Sequence, residues 1–204
     1  MFQLRLLPRA AFDPILVNDP IYLRTAANDD FDSWVALREE SRSHLVAWED
    51  DWSPEQLSEI SFRRRMRNGA REAKRGAGLA LFVFRREDQA LLGGLTLANI
   101  RYGAARSAVL GYWIGAPYVR SGYAFAAVRA ALSHAFDAIA LNRIEAACDP
   151  ENTASRSLLL KCGFQFEGRA RDYLKINGAW RDHDIYAITA GDYRDSDPGP
   201  VVAY

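Results

Sequence analysis

Between residues 107 and 149 the chain reads as a strand, a loop of small and polar residues, a long apolar helix and a second strand. Ser107–Ile114 has strand character. The run from Gly122 to Ala140 is rich in alanine and apolar nearly all round, which predicts a buried helix. Arg143–Asp149 reads as the next strand. A helix between two strands implies a parallel crossover, because an antiparallel pair needs only a tight turn. This segment therefore sets a mixed α/β sheet, and the rest of the chain must fit around it.

The flanking signals do fit. Ile21–Thr25 reads as a short strand, and Asn28-Asp29-Asp30 as a helix start with acids suited to the positive helix end. A second helix is predicted from Ser53-Pro54 to Gly76 or Gly78. Strands follow at Leu79–Arg85 and Leu91–Asn99, divided by a Glu-Asp-Gln turn, with Tyr-Gly-Ala before Ser107. Downstream, Asn152–Cys162 reads as a short capped helix, and Phe164–Tyr173 with Trp180–Thr189 as a closing pair. All pairings but the crossover read antiparallel. The expected organisation is an N-terminal extension over 1–20, one domain over 21–193 and a C-terminal tail over 194–204.

Composition supplies the size of the core and the class of partner. Of 204 residues, 49% are hydrophobic, enough for one well-filled domain. Lys+Arg and Asp+Glu number 26 each, so bulk charge does not hold the chain on nucleic acid or an anionic membrane. The charge is uneven, however. Residues 29–59 carry ten acids against two arginines, and residues 63–75 seven bases against one acid. Two cysteines, Cys148 and Cys162, make no disulfide framework, and there is no metal-ligand spacing. A reducing cytoplasm is expected. Arg5, Pro8 and Arg9 interrupt any leader-like run, and no stretch is apolar enough to span a membrane.

The loop before the long helix, Val119-Arg120-Ser121-Gly122-Tyr123-Ala124, presents backbone N–H groups at a helix opening, a ready site for phosphate or pyrophosphate. A plain strand–helix turn would read the same way. Further on, Asn152-Thr-Ala-Ser155, Lys161 and Gly163-Phe164-Gln-Phe-Glu167-Gly168 resemble the N-x-x-S-x-x-x-x-x-K-x-GF-x-x-EG signature of the GNAT N-acetyltransferases. Arg171-Asp172-Tyr173-Leu174, Gly178-Ala-Trp180-Arg181-Asp182-His183 and Leu45-Val-Ala-Trp48-Glu49 are similar to the RimJ/RimL branch, the ribosomal-protein alanine N-acetyltransferases. The likeness runs from about Ile21 to Tyr193. One departure stands out: the family loop reads Q/R-G-x-G-x-G/A, and Arg120 replaces its first glycine.

The resemblance implies the GNAT fold, a mostly antiparallel sheet with one splayed parallel pair flanked by helices, and acetyl-CoA as co-substrate without a metal. It implies cofactor contacts from Tyr112, Trp113, Ile114, the loop Val119, Arg120, Ser121, Gly122, Tyr123 and Ala124, and from Asn152, Ser155 and Lys161. It suggests Glu167 as general base, Tyr173 or Cys148 as the acid for the leaving thiolate, and Trp48 with Glu49 on the acceptor lip. Structural readings stand beside these: Asn152 as a helix cap, Cys148 and Cys162 as packing, Glu167 as a surface acid. The implied reaction is acetylation of a protein N-terminal α-amine by direct attack. A small-molecule amine acetyltransferase, or an idle CoA-binding or ribosome-associated factor, are the alternatives. Glu49, Asp50 and Asp51 would then steer a basic chain end to the acceptor channel.

Overall fold

A computed structural model of the chain describes residues 15–195 and a short strand at 202–203. Nine strands form one sheet in the order β7-β8-β6-β5-β4-β3-β2-β1-β9. The strands are β1 (Leu16–Asn18), β2 (Ile21–Arg24), β3 (Leu79–Arg85), β4 (Leu91–Arg101), β5 (Ser107–Ile114), β6 (Arg143–Cys148), β7 (Gln165–Ile176), β8 (Ala179–Thr189) and β9 (Val202–Ala203). Every pairing is antiparallel except β5 with β6, as the crossover requires.

That parallel pair is brief. Ser107, Ala108 and Val109 face Arg143, Ile144 and Glu145, and pairing then stops. β5 continues to Ile114 and β6 to Cys148, so the two strands part into a gap at their C-terminal ends. The crossover between them holds α4 (Tyr123–Ser133) with a π-turn over His134–Ala138. Its Ala126, Ala127, Ala130 and Ala131 are buried, which lets the helix backbone lie close on the sheet.

The two faces bury different side chains. Leu79, Leu81, Val83, Leu95, Leu97, Leu110 and Ile144 pack under α4 and α5 (Thr153–Lys161). Opposite them, Trp34 and Leu37 of α1 (Phe31–Glu40), Leu45 of α2 (Arg42–Leu45) and Phe62 of α3 (Glu59–Arg75) cover Phe84 and Leu91. Strand alternation produces this division, since neighbouring residues point to opposite faces.

Three boundaries differ from the sequence reading. Leu16–Asn18, expected in the extension, pairs with β2 and buries Leu16. The helix expected from Ser53-Pro54 is a 3₁₀ turn at Pro54–Leu57, and α3 starts afresh at Glu59. The break follows from Ser58, which adopts an extended backbone and caps α3 by accepting from the Ser61 N–H at 3.3 Å. The tail expected from residue 194 begins inside α6 (Ala190–Asp195), and Val202–Ala203 pairs with β1. Most of the tail lies outside the described residues.

Candidate active site

The gap is reached from two sides. On the α4/α5 side, the Tyr112 hydroxyl lies 2.7 Å from Ser155 Oγ, joining the splayed end of β5 to the first turn of α5. Cys148, the last residue of β6, is buried on the same face. Burial pushes its thiol up to about 11, with Asp184 adding to the shift and Ser155 opposing it. Burial likewise raises the Tyr112 phenol above its ordinary value, outweighing the Ser155 contact. Both groups therefore keep their protons at neutral pH. Asn152 caps α5, its Oδ1 accepting from the Ser155 N–H at 3.0 Å, which fixes where Ser155 begins the helix.

The loop ahead of α4 has the conformation of an anion cradle. Arg120 and Gly122 both sit in the left-handed region, at φ 62° and 82°. The first helical bond is from the Ala126 N–H to the Gly122 carbonyl, so the amides of Tyr123, Ala124 and Phe125 precede the ladder. A Cβ on Gly122 would meet nothing within 4 Å, leaving open space over the turn. Open amides, a helix N-terminus and the Arg120 guanidinium fit a pyrophosphate. Val119 and Ser121 complete the loop, and Lys161 Nζ lies 4.7 Å from the Phe125 ring centre.

Arg120 thus occupies a backbone region that suits glycine. Arg120→Gly is expected to be more stable than Arg120→Ala by about 1 kcal/mol, because only glycine adopts this region without a Cβ penalty. The check is the difference in urea unfolding free energy between the two variants, and a gap below about 0.3 kcal/mol would contradict it.

On the α1/α3 side lies a cavity of about 780 Å³. Its floor is Ala80, Phe82, Gly94, Thr96, Gly111 and Trp113, and its wall is α3 with Trp34, Arg38 and Glu49. Among the described residues, Glu49 is the only carboxylate on this lining. Arg38 Nη2 is 2.8 Å from it, and the Arg38 guanidinium stacks 4.0 Å from the Trp52 ring and 5.0 Å from that of Trp113. Burial raises the Glu49 carboxyl and lowers Arg38, each against the pull of the other. Desolvation therefore outweighs their attraction.

The segment around Glu49 is tied to the β7–β8 turn by a residue that the sequence reading passed over. Asn177, in the β7–β8 turn, accepts from the Asp51 N–H at 2.7 Å, and its own N–H donates to Asp50 Oδ1 at 2.7 Å. Its side-chain amide donates to the Val46 carbonyl at 3.2 Å. Asn177-Gly178 is an Asn-Gly hairpin pair with both residues at positive φ, and that dipeptide was the available signal. Arg38 and Arg65 gave none.

The expected site residues are brought together only in part. Tyr112, Ser155 and Cys148 meet on one side of the gap, while Trp113 and Glu49 line the cavity on the other; Ile114 closes β5 between them. Trp48 is half-buried and is not on the cavity lining. The Glu167 carboxylate is turned to Arg143, 2.7 Å from Nη1, at the paired end of β6 rather than the open end. The Arg143 guanidinium holds it below the usual carboxylate range. Tyr173 is exposed, its ring 5.5 Å from that of His183. Two of the three lip acids are ion-paired, Glu49 with Arg38 and Asp51 with Arg42, and Asp50 accepts a hydrogen bond from the Asn177 N–H.

A parallel pair opened over a buried hydroxyl chain, with an anion cradle on one face and an acceptor cavity on the other, is the arrangement of an acyl-CoA-dependent acyltransferase. Residues 21–165 match the acetyltransferase (GNAT) domain model, and the chain belongs to that family. Within it the chain stands with the RimJ/RimL type of N-acetyltransferase. It is 30% identical over 166 residues to the ribosomal protein uS5-alanine N-acetyltransferase of Escherichia coli, covering 80% of this chain and 86% of that one. It is also 30% identical over 174 residues to a probable N-acetyltransferase, YjcK, of Bacillus subtilis, covering 85% and 96%. The structure of Mycobacterium smegmatis RimJ in complex with CoA-disulfide superposes with a TM-score of 0.81 at 32% identity, covering 92% of this chain and 96% of that one. The protein is an acetyl-CoA-dependent N-acetyltransferase, and the family's reaction uses no metal. No helix among the described residues is long and apolar enough to cross a membrane.

Proposed function

We propose that the protein acetylates the α-amine of a protein chain end, with an N-terminal alanine of a ribosomal protein as the acceptor class, in the cytoplasm and by direct attack within a ternary complex. The observation that carries this reading is the two-sided gap. The cradle and the Tyr112–Ser155 pair lie on one face, and an open cavity of about 780 Å³ lies on the other. An amine entering from the cavity meets the thioester across the gap without passing through an acyl-enzyme. The name of the E. coli relative supplies the alanine.

Acetyl-CoA supplies an acetyl group on a thioester, whose sulfur must leave with a proton. Tyr112 stays protonated and either oxygen of the Tyr112–Ser155 pair can donate; with Tyr112 as donor to Ser155 Oγ, the Ser155 hydrogen is free to point at the leaving sulfur. Unpaired backbone of β5 beyond Val109 is available to the carbonyl oxygen as it gains charge. Glu49 accepts a hydrogen bond from the entering amine and orients it. A protein α-amine has an ordinary pKa near ~8, so much of it is already neutral and a strong base is not required. Glu167, held by Arg143, takes no part.

The test is release of CoA from acetyl-CoA in the presence of peptides starting with Ala or Ser, beside free amines. Turnover of the peptides, abolished when their N-termini are already acetylated, is the expected result. Turnover of free amines alone would replace this reading with a small-molecule one, and tight CoA binding without turnover would point to an idle module.

A further inference from the structure

The charge lining the acceptor cavity is opposite in sign to the charge the sequence suggested there. Glu49 is its single carboxylate and is matched by Arg38. Arg65 and Lys74, both on α3, also line the cavity, and among the described residues neither has a carboxylate within salt-bridge distance. Arg65 rests against the Trp34 ring, 5.9 Å from its centre, and lies near enough to attract the Glu49 carboxylate without forming an ion pair with it. Within the Arg38–Glu49 ion pair, the buried Arg38 Nε and Glu49 Oε1 both lack a hydrogen-bond partner among the described residues, leaving one donor and one acceptor to be filled. A buried guanidinium N–H without a partner is uncommon enough to need one supplied.

We infer that the acceptor brings a negative charge with it: an amine followed closely by carboxylate groups, which for a chain end means Asp or Glu among its first few residues. This rests on the acetyltransferase reading of the same cavity. The geometry sets the spacing. Arg65 and Lys74 are nine residues apart on one helix, about 13 Å along its axis. Because α3 runs antiparallel to β3, Arg65 lies toward Trp34 and Phe82, near the gap. Lys74 lies toward Ala80 and Thr96, deeper along the floor. An extended peptide covers the same distance in about four residues. An amine held at Trp113 and Glu49 therefore puts its nearest side chains by Arg38 and Arg65, and later ones by Lys74.

Basic chain ends meet the reverse. They must approach a lining on which Arg38, Arg65 and Lys74 outnumber the one carboxylate, Glu49, among the described residues. Of the ten acids in 29–59, Glu49 alone among the described residues is on the cavity lining, and Asp30, Asp51 and Glu59 are ion-paired away from it with Arg24, Arg42 and Arg63.

The test uses peptides and small amines, each in an anionic, neutral and cationic version, with the full-length protein and acetyl-CoA. The anionic peptide is expected to have a KM at least tenfold below the cationic one, with kcat within about threefold. That gap should narrow as salt rises from 50 to 500 mM, as screening requires. Lys74→Glu is expected to raise the KM of the anionic peptide about tenfold more than that of the neutral peptide. Equal KM values, or a preference for the cationic peptide, would overturn the inference while turnover of the neutral peptide upheld chain-end acetylation. Turnover of small amines only, with the anionic member favoured, would uphold the inference and overturn the chain-end reading. Turnover in no arm would overturn both.

Discussion

Ser155→Ala is expected to lower kcat by about a hundredfold, the effect typical of losing a positioned proton donor, while moving the KM for acetyl-CoA less than about threefold. The hydroxyl it removes is 2.7 Å from the Tyr112 oxygen, at the head of α5, where the chain breaks from β6 over the gap. Tyr112→Phe removes the group that orients this hydroxyl, so it should cost less, roughly tenfold. The double variant should be little worse than Ser155→Ala alone, because the two act as one chain. Cys148→Ala separates the alternative donor. A thiol raised to about 11 stays protonated across the working range, and its loss should leave kcat within about threefold. A hundredfold loss in Cys148→Ala with an unaffected Ser155→Ala would assign the proton to the cysteine instead. Steady-state kinetics on the three variants decide between them.

Gly93→Ala carries the largest expected effect on stability. A Cβ there would lie 2.1 Å from the Trp113 carbonyl oxygen and 3.0 Å from Ile114 Cα, both backbone atoms of β5. Neither can rotate aside, so β4 and β5 must separate next to the gap. A loss of about 3 kcal/mol or more follows, at the upper end of what overpacking costs. For a chain of this size it would lower Tm by roughly 6–12 °C. The same substitution at Gly69 should act in the other direction. There a Cβ meets only the Ala80 Cβ at 3.7 Å, an ordinary contact, in the middle of α3. Alanine is the better helix former by about 0.8–1 kcal/mol, so Gly69→Ala should raise stability by up to that amount. Thermal unfolding of both variants checks the pair of signs, and a mild effect at Gly93 would show that the β4–β5 approach is looser than described.

What the sequence revealed, and what it hid, divides along physical lines. The strands Leu79–Arg85, Ser107–Ile114 and Trp180–Thr189 carry apolar residues that alternate toward one face or run through a buried centre, and such patterns are local. The crossover followed from one long apolar helix between two strands. β1 was missed because three residues are too few to show any period, and its partner β9 lies far away in the chain. The helix expected from Ser53 was broken at Ser58 by a second cap, where two adequate start signals stood five residues apart. Glu167 carried the right residue type in the right motif, yet its destination depended on Arg143, twenty-four positions earlier. The sign of the cavity was the hardest feature to read. Ten acids between residues 29 and 59 are plain in the sequence, but which of them have partners depends on the tertiary fold alone.

The clasp at Asn177 ties the order of synthesis to the closing of the fold. Its three hydrogen bonds reach back 126 to 131 residues, to Val46, Asp50 and Asp51. The cradle, β5 and α4 have all left the ribosome before the β7–β8 turn exists, since a chain emerges from its N-terminus onward. A nascent chain therefore carries both the cradle and the cavity wall before the hydrogen bonds that fix residues 46–51 can form. The clasp arrives last, with the final hairpin, and a chain truncated before residue 165 would lose it together with the β8 partner of β6 and the buried Tyr186 and Ile188.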